Sequence, residues 1–544
     1  MLILLFLFLF LVGRLINLQL LNYPQYAQQA ANLQETHIPE EPFPRGNILD
    51  RNYRSVTDGG LKLSLVLIPS LFQYDPDKVS KLENIVGELS LFRNSGTSNK
   101  PVFLETDLTF QESNIINSLD LAGLFVVPMK IRYGAQSLAR HMVGHLNEGI
   151  GVMGLEAKYQ TELNRAVSKD NWSLLFDARG NLIKGLSFKK VAKESIDNRL
   201  SLRTTLDLDV QRKVEKVMDE QIEKGAVVVM EVGSGEVLAA ASRPNYRQDK
   251  ISEALKNDGS LFNRVMAAYH PGSIFKIVVA AAALEEGIVT PDEEFNCSGK
   301  YTFPSGLEIP CWKRDGHGEL TLAQALAQSC NPTFISVALR LGKERLLEYV
   351  DKFGLEQEAL IGWYNLASSE VVSDTGDNTI KIGYSPGDLG NAAVGQKGVM
   401  ISPLQVASLT NIIASGGIWT EPRLIDTVVD DQGRIVSVLP PSKTKRVIKR
   451  DTATILQQMM LLTTKEGTGT KAWVPDGGSA GKTSSAETGT LDEAGNQIVN
   501  AWFTGYVPTD NPQYVIVILA EGGNYGGQVA APVFKEIGEY LISQ

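Results

Sequence analysis

Cysteine is scarce, with three residues, Cys297, Cys311 and Cys330, in 544. That is too few for a disulfide scaffold. Cys297 and Cys311 could bridge across a hairpin outside the cell, with Cys330 left over, but connectivity does not follow from sequence. Neither Cys-x-x-Cys nor His-Glu-x-x-His occurs, so no metal site and no cofactor are expected. Histidine is also rare, 5 in all. Two of them, His141 and His145, stand at i, i+4 with no third ligand close by, and a structural role is expected. Blocks of basic residues are absent, and with a net charge of −10 this argues against nucleic acid as the main partner.

A run long enough to cross a bilayer is lacking as well. The apolar start, MLILLFLFLFLV, spans roughly 18 Å as a helix, short of a hydrocarbon core of roughly 30 Å. It reads as the tail end of a membrane anchor whose start is missing. The alternative, a helix continued past Gly13-Arg14 through Leu15 to Leu21, is disfavoured because no basic residue precedes the run. A cleaved signal peptide lacks the usual basic start. One N-terminal anchor with the remainder on a single side is the simplest topology. Phosphate loops also fail: Gly481-Lys482-Thr483 would need a glycine where Asp476 stands, and Gly467-Thr468-Gly469 follows no suitable strand.

What is present is the composition of a globular protein, 43% hydrophobic and 21% charged, in a chain long enough for two or three domains. Residues 23 to about 45 read as helical until Pro39, Pro42 and Pro44 interrupt them. Short strands and helices then alternate to about 200. Val210, Val214, Val217, Met218 and Ile222 recur at helical spacing. AVVVMEV (226–232) and EVLAAAS (236–242) flank Gly233-Ser234-Gly235 as a β-hairpin. AWFTGYV (501–507) and YVIVILAEGG (514–523) are strand-like, and the Lys482 segment is expected to adjoin them. Residues 364 to 385 are polar and irregular, a candidate mobile loop.

The chain is organised around Ser273-Ile274-Phe275-Lys276 and the Ala-rich run after it. SIFKIVVAAAALEEG reads as a helix closed by Gly287, with Ser273 in its first turn and Lys276 on the same face. A serine hydroxyl needs a base, and a lysine becomes one when burial lowers its pKa. Ser329-Cys330-Asn331-Pro332 is expected as a tight turn between two helices, with Pro332 forcing Asn331 out of helical geometry. Lys482-Thr483-Ser484-Ser485 completes a set of three segments in the order Ser-x-x-Lys, Ser-x-Asn, Lys-Thr-Ser.

With these motifs the chain resembles the penicillin-recognising serine acyltransferases, and specifically class B penicillin-binding proteins. The resemblance also rests on PRGNILDRN (44–52), RHMVGH (140–145) with GLE (154–156), TLDLDVQ (205–211), GEVLAAASRPNY (235–246) and AAPVFK (530–535). It implies an α+β multidomain fold: a membrane anchor over 1–22, an elongated mixed α/β pedestal or dimerisation domain over 23–200, and a transpeptidase domain over 201–544 whose antiparallel sheet is flanked by helices. It implies a D,D-transpeptidase that cross-links peptidoglycan stem peptides through a serine acyl-enzyme and is acylated by β-lactams. In that scheme Ser273 is the nucleophile, Lys276 its base, Ser329 a proton shuttle, and Asn331 orients Lys276. Lys482 supplies positive potential, and Thr483, Ser484 and Ser485 line the substrate strand, with Thr483 and Ser485 gripping its carboxylate. The family has Lys-Thr-Gly where this chain has Ser484 in third place, and a side chain there narrows the space beside the strand.

The implied location is the cell membrane, single-pass, with the catalytic domain outside the cytoplasm. The implied partners are stem peptides, β-lactams and a polytopic membrane glycan polymerase; a homodimer is left open. The alternatives are a D,D-carboxypeptidase or β-lactamase-type hydrolase on the same fold, a non-catalytic member that binds wall precursors, or a β-lactam sensor.

Overall fold

The computed structural model describes residues 2–22, 35–39, 41, 43–87, 101–164, 170–175, 189–192, 199–256, 259–356, 362–365, 370–373 and 380–544. They form two compact units that interleave along the chain. One takes 1–45, 58–133 and 165–199; the other takes 46–57, 134–164 and 200–544.

In the first unit, an α-helix over Leu2–Ile16 runs on into a π-helical turn over Asn17–Leu21. No helix among the described residues is long and apolar enough to cross a membrane. Glu35–Pro39 is a strand, not the end of a helix, and pairs with Asp170–Leu175; residues 23–34 of the expected helix lie outside the described set. An antiparallel sheet places Leu61–Leu67 between Val102–Leu108 and Leu124–Lys130. Alternation along the central strand decides the packing. Leu65 and Leu67 meet Val79, Leu82 and Ile116 of two helices, whereas Val66 and Ile68 pack with Ile38, Val127 and Met129.

The second unit holds the site. The helices that build the site's surroundings are α1 (Leu208–Gln221), α2 (Lys276–Glu285), α3 (Leu322–Ala327), α4 (Asn331–Leu341), α5 (Pro403–Ala414), α6 (Arg450–Lys465) and α7 (Ala530–Ile542). Its main strands are β1 (Gly225–Glu231), β2 (Val237–Arg243), β3 (Ala480–Leu491), β4 (Gln497–Val507) and β5 (Tyr514–Ala520). These five form one antiparallel sheet in the order β2-β1-β5-β4-β3, which leaves the Lys482 strand at an edge. The antiparallel sheet with flanking helices expected of the C-terminal domain is thus present.

Apolar residues occupy both faces of the inner strands, so both faces must be covered. On one face Val227, Val229, Ile516 and Ile518 pack with Val214, Val217 and Met218 of α1 and Phe534 and Ile537 of α7. The amphipathic α1 starts at Asp207, whose carboxylate accepts from the Asp209 and Val210 amides. The other face takes α5, where Thr410 and Thr504 join hydroxyls at 2.6 Å. Helix α2 is buried from Lys276 to Ala283 and packs among α4, α6 and the helix Lys343–Lys352. Its all-round apolar surface makes it the spine of the helical layer. Of the candidate loop 364–385, only 364–365, 370–373 and 380–385 are described.

Candidate active site

Ser273 lies in a 3-10 turn, Gly272–Phe275, and α2 begins at Lys276. The expected single α-helix is therefore tighter at its start. In 3-10 geometry the side chains at i and i+3 eclipse, so the turn sets Ser273 and Lys276 on one face. Ser273 is half-buried, whereas Lys276 is wholly buried. Gly272 makes the turn possible. Its φ is +54°, and a Cβ there would stand 2.3 Å from the Ser484 hydroxyl. Only glycine fits a positive φ and so close an approach to β3.

The Lys276 amine has a defined neighbourhood. It donates to the Ser329 carbonyl at 2.8 Å and to Asn331 Oδ1 at 2.7 Å, and lies 3.4 Å from Ser329 Oγ. The Phe334 ring lies 5.7 Å away. Burial pushes its pKa down to about 8, against a weaker opposing pull from Cys330, Cys311 and Cys297. A neutral amine has two N–H groups and one lone pair. The two short bonds use both N–H groups, which leaves the lone pair for a serine hydroxyl.

Ser329 and Asn331 converge on Lys276, but their local geometry differs from expectation. Asn331 is the first residue of α4, with Cys330 as N-cap and Pro332 one residue further in. Proline is tolerated in a first helical turn because its missing N–H has no partner there anyway. The break falls instead at Ser329, whose φ is +56°. Asn331 Nδ2 donates to Pro310 O at 2.9 Å, which fixes the amide so that its oxygen faces Lys276.

The third segment approaches from β3. Lys482 is wholly buried, its Nζ bonds Thr483 O at 2.8 Å, and burial followed by repulsion from Lys276 lowers its pKa. Thr483 shares a short hydroxyl contact with Thr468. Ser485 is exposed and accepts from the Gly526 amide at 3.2 Å. Ser484 is buried and its hydroxyl has no partner. The eight expected residues thus come from three elements and meet around α2: Lys276 bonds the second segment, Lys482 lies within its field, and Ser484 abuts the turn bearing Ser273. A serine hydroxyl, a buried amine and further hydroxyls gathered at a sheet edge are groups that acyl transfer with an extended peptide could use.

The penicillin binding protein transpeptidase domain model matches residues 225–539. This chain belongs to that family. It is 29% identical over 530 residues to Stage V sporulation protein D of Bacillus subtilis, covering 92% of this chain and 78% of that one. It is 25% identical to the peptidoglycan D,D-transpeptidase MrdA of Haemophilus influenzae, covering 97% and 88%. A solved structure titled "Structural coordination of polymerization and crosslinking by a peptidoglycan synthase complex" superimposes with a TM-score of 0.67 at 25% identity, over 98% of this chain and 96% of that one. The class B penicillin-binding protein recognised from the motifs stands, and with it a peptidoglycan D,D-transpeptidase.

Two features escaped the motif reading. Gly467-Thr468-Gly469, set aside as a nucleotide loop, ties the segments together: Thr468 N and Oγ1 donate to Ala327 O at 3.1 and 3.3 Å, and its hydroxyl meets Thr483. The signal available was its place just ahead of the Lys482 strand. The second feature is a cluster of Cys297, Cys311, His317 and Cys330, whose ligand atoms all lie within 4.8 Å of one another. All three cysteines are free thiols. His141 and His145 are not part of it. His141 Nε2 lies 2.8 Å from Ser260 O, both rings edge onto Tyr246, and burial lowers their pKa values to about 3 and about 4.

Proposed function

We propose that the chain is a single-pass, membrane-anchored enzyme with its catalytic domain outside the cytoplasm, working through an acyl-enzyme on Ser273. Residues 1–22 would be anchor, 23–200 pedestal and 201–544 catalytic domain. The observation that carries this reading is the buried Lys276 amine, held by Ser329 O and Asn331 Oδ1 one turn from Ser273.

Lys276 takes the proton from Ser273 Oγ as that oxygen attacks the carbonyl of the penultimate D-Ala. The terminal D-Ala leaves as its nitrogen receives a proton through Ser329. The acceptor amine of a second stem peptide then displaces Ser273. Backbone N–H groups of Ser273 and Ser485 hold the oxyanion. Lys482 biases the site toward the donor's carboxylate, which Thr483 and Ser485 grip. The donor peptide adds as a strand along β3, whose position at the sheet edge supports this. A β-lactam follows the first half of the path and stops there. The similarity to a structure titled as a peptidoglycan synthase complex supports a polytopic glycan polymerase as partner.

Intact mass after exposure to benzylpenicillin tests the reading. One adduct per chain is expected, persisting over many turnover times, with Ser273→Ala removing it. Labelling that survives Ser273→Ala would refute the nucleophile. Fast release with hydrolysed drug would make the protein a hydrolase.

A further inference from the structure

We propose that a cavity beside the N-terminal half of α5, apolar at its floor and cationic at its mouth, binds a small amphiphilic anion: an apolar body with one carboxylate or phosphate head. The cavity measures about 380 Å³, within the range of small-molecule sites. At roughly 30 Å³ per heavy atom, the share of one molecule in liquid water, it holds about a dozen non-hydrogen atoms.

The floor is drawn from separate stretches of the second unit. Met142 and Leu155 stand on the short helices Arg140–Val143 and Gly154–Lys158, Met266 just ahead of Tyr269, and Leu404 on α5. Each is more than nine-tenths buried. Trp419 forms one wall, its indole seated on Gly354, where a Cβ would stand 2.7 Å from Nε1. Leu404 and Ser408 are four residues apart and so share the face of α5 that lines the cavity. That face holds one polar demand. Ser408 is 5% exposed, and its buried hydroxyl has no partner among the described residues. A hydroxyl orphaned inside a cavity is destabilising, and an oxygen on a ligand would satisfy it.

The mouth differs in charge. Lys158, Arg423 and Lys443 line the cavity against a single carboxylate, Glu421. Lys158 and Lys443 are exposed and Arg423 is half-buried. None of the three forms an ion pair among the described residues. Arg423 donates to the Ile425 and Asp426 carbonyls at 3.1 and 3.3 Å, and the Glu421 carboxylate accepts from the Lys443 backbone amide at 3.4 Å. Three cations against one carboxylate, in a chain of net charge −10, make this a local positive excess. An amphiphilic anion answers both halves: its body displaces water from the floor, and its head takes charge-assisted hydrogen bonds at the mouth. A neutral apolar molecule would leave the cations unmatched, and a compact polyanion would leave the floor wet.

The test uses the full chain in nanodiscs of phosphatidylcholine, a lipid without net charge. Decanoate carrying a diazirine is photolysed with the protein, and labelled peptides are identified by mass spectrometry. Label is expected within residues 140–159 and 404–425, which line the cavity. Unlabelled decanoate or decyl phosphate should compete it away, the stronger competitor naming the head. Decanol, the same body without charge, should compete at least about tenfold more weakly. Lys158→Glu with Lys443→Glu, both at exposed positions, should lower labelling at least about tenfold at an unchanged thermal midpoint. A decanoate with a hydroxyl at its far end should compete about fivefold better than decanoate, the worth of one hydrogen bond, and Ser408→Ala should erase that gain. Decanol matching decanoate, or labelling indifferent to the charge reversal, would overturn the anionic head. Label confined to residues 1–22 would overturn the site, and no gain from the added hydroxyl would overturn the part given to Ser408. None of these readouts uses acylation of Ser273, so the site stands or falls apart from the catalytic reading.

Discussion

The pKa of Lys276 sets the first expectation. Burial brings it to about 8, and the reactive form is the neutral amine. Acylation by penicillin should therefore rise about tenfold per pH unit well below 8 and level off above it, with Lys276→Ala at least about a hundredfold slower at the plateau. A rate flat from pH 6 to 9 would remove Lys276 as base. The same shift acts on stability with a definite sign. Between about 8 and 10.5 the unfolded chain binds more protons at this site than the folded one, so this contribution rises with pH through that window and its cost is full below it. Ser484 supplies a second expectation. Its hydroxyl is buried without a partner, and deleting an unpaired hydroxyl recovers its desolvation penalty, about 1 kcal/mol. Ser484→Ala should raise the unfolding free energy from urea titration by about that amount, seen as a higher midpoint at unchanged slope; a lower midpoint would mean the hydroxyl is satisfied.

At the level of single elements, the turn before α4 is the strained piece. Ser329→Ala and Ser329→Gly both delete the hydroxyl, so both should lose acylation to a similar extent. Only glycine adopts φ +56° freely. The glycine variant should have an unfolding free energy about 1 kcal/mol higher than the alanine variant, the approximate cost of a left-handed backbone for a residue with a Cβ. Equal midpoints would show that the turn relaxes when the hydroxyl goes. This strain was not legible in the sequence, where Pro332 drew attention to Asn331, because a single positive φ carries no compositional mark outside glycine and asparagine. The β1–β2 hairpin, β4, β5 and α2 were legible, since apolar periodicity and Gly-bearing turns dictate them locally. The three motif segments were legible as residues and in their order. Their convergence on α2 was not, because it depends on tertiary contacts such as Thr468 with Ala327. The Cys3His cluster was missed for the same reason: its ligands are spread from 297 to 330 and meet only when two small hairpins form.

For the whole molecule, the question is what covers the apolar helix at its start. Leu5, Phe6, Leu7, Phe8, Leu9, Phe10 and Leu11 are each more than half exposed, with Phe6 at 75%. The exposure is continuous in sequence, so it runs round the helix instead of forming a stripe that a protein core could take. Burying such surface is worth about 25 cal/mol per Å², and lipid is the solvent that accepts a helix apolar on all sides. The α-helix Leu2–Ile16 rises roughly 22 Å at 1.5 Å per residue, short of a hydrocarbon core of roughly 30 Å, and the π-helical residues after it include the polar Asn17 and Gln19. The full chain should therefore sediment with membranes, resist extraction by high salt and dissolve in detergent. Placing lysines at Phe6 and Leu9 adds about 2.5–3.5 kcal/mol each at the middle of a span. Phe6→Lys with Leu9→Lys should shift the protein toward the soluble fraction while leaving penicillin acylation unchanged, because neither residue belongs to the unit that carries Ser273. Wild-type protein found free of membranes after lysis would show that another apolar surface covers this helix.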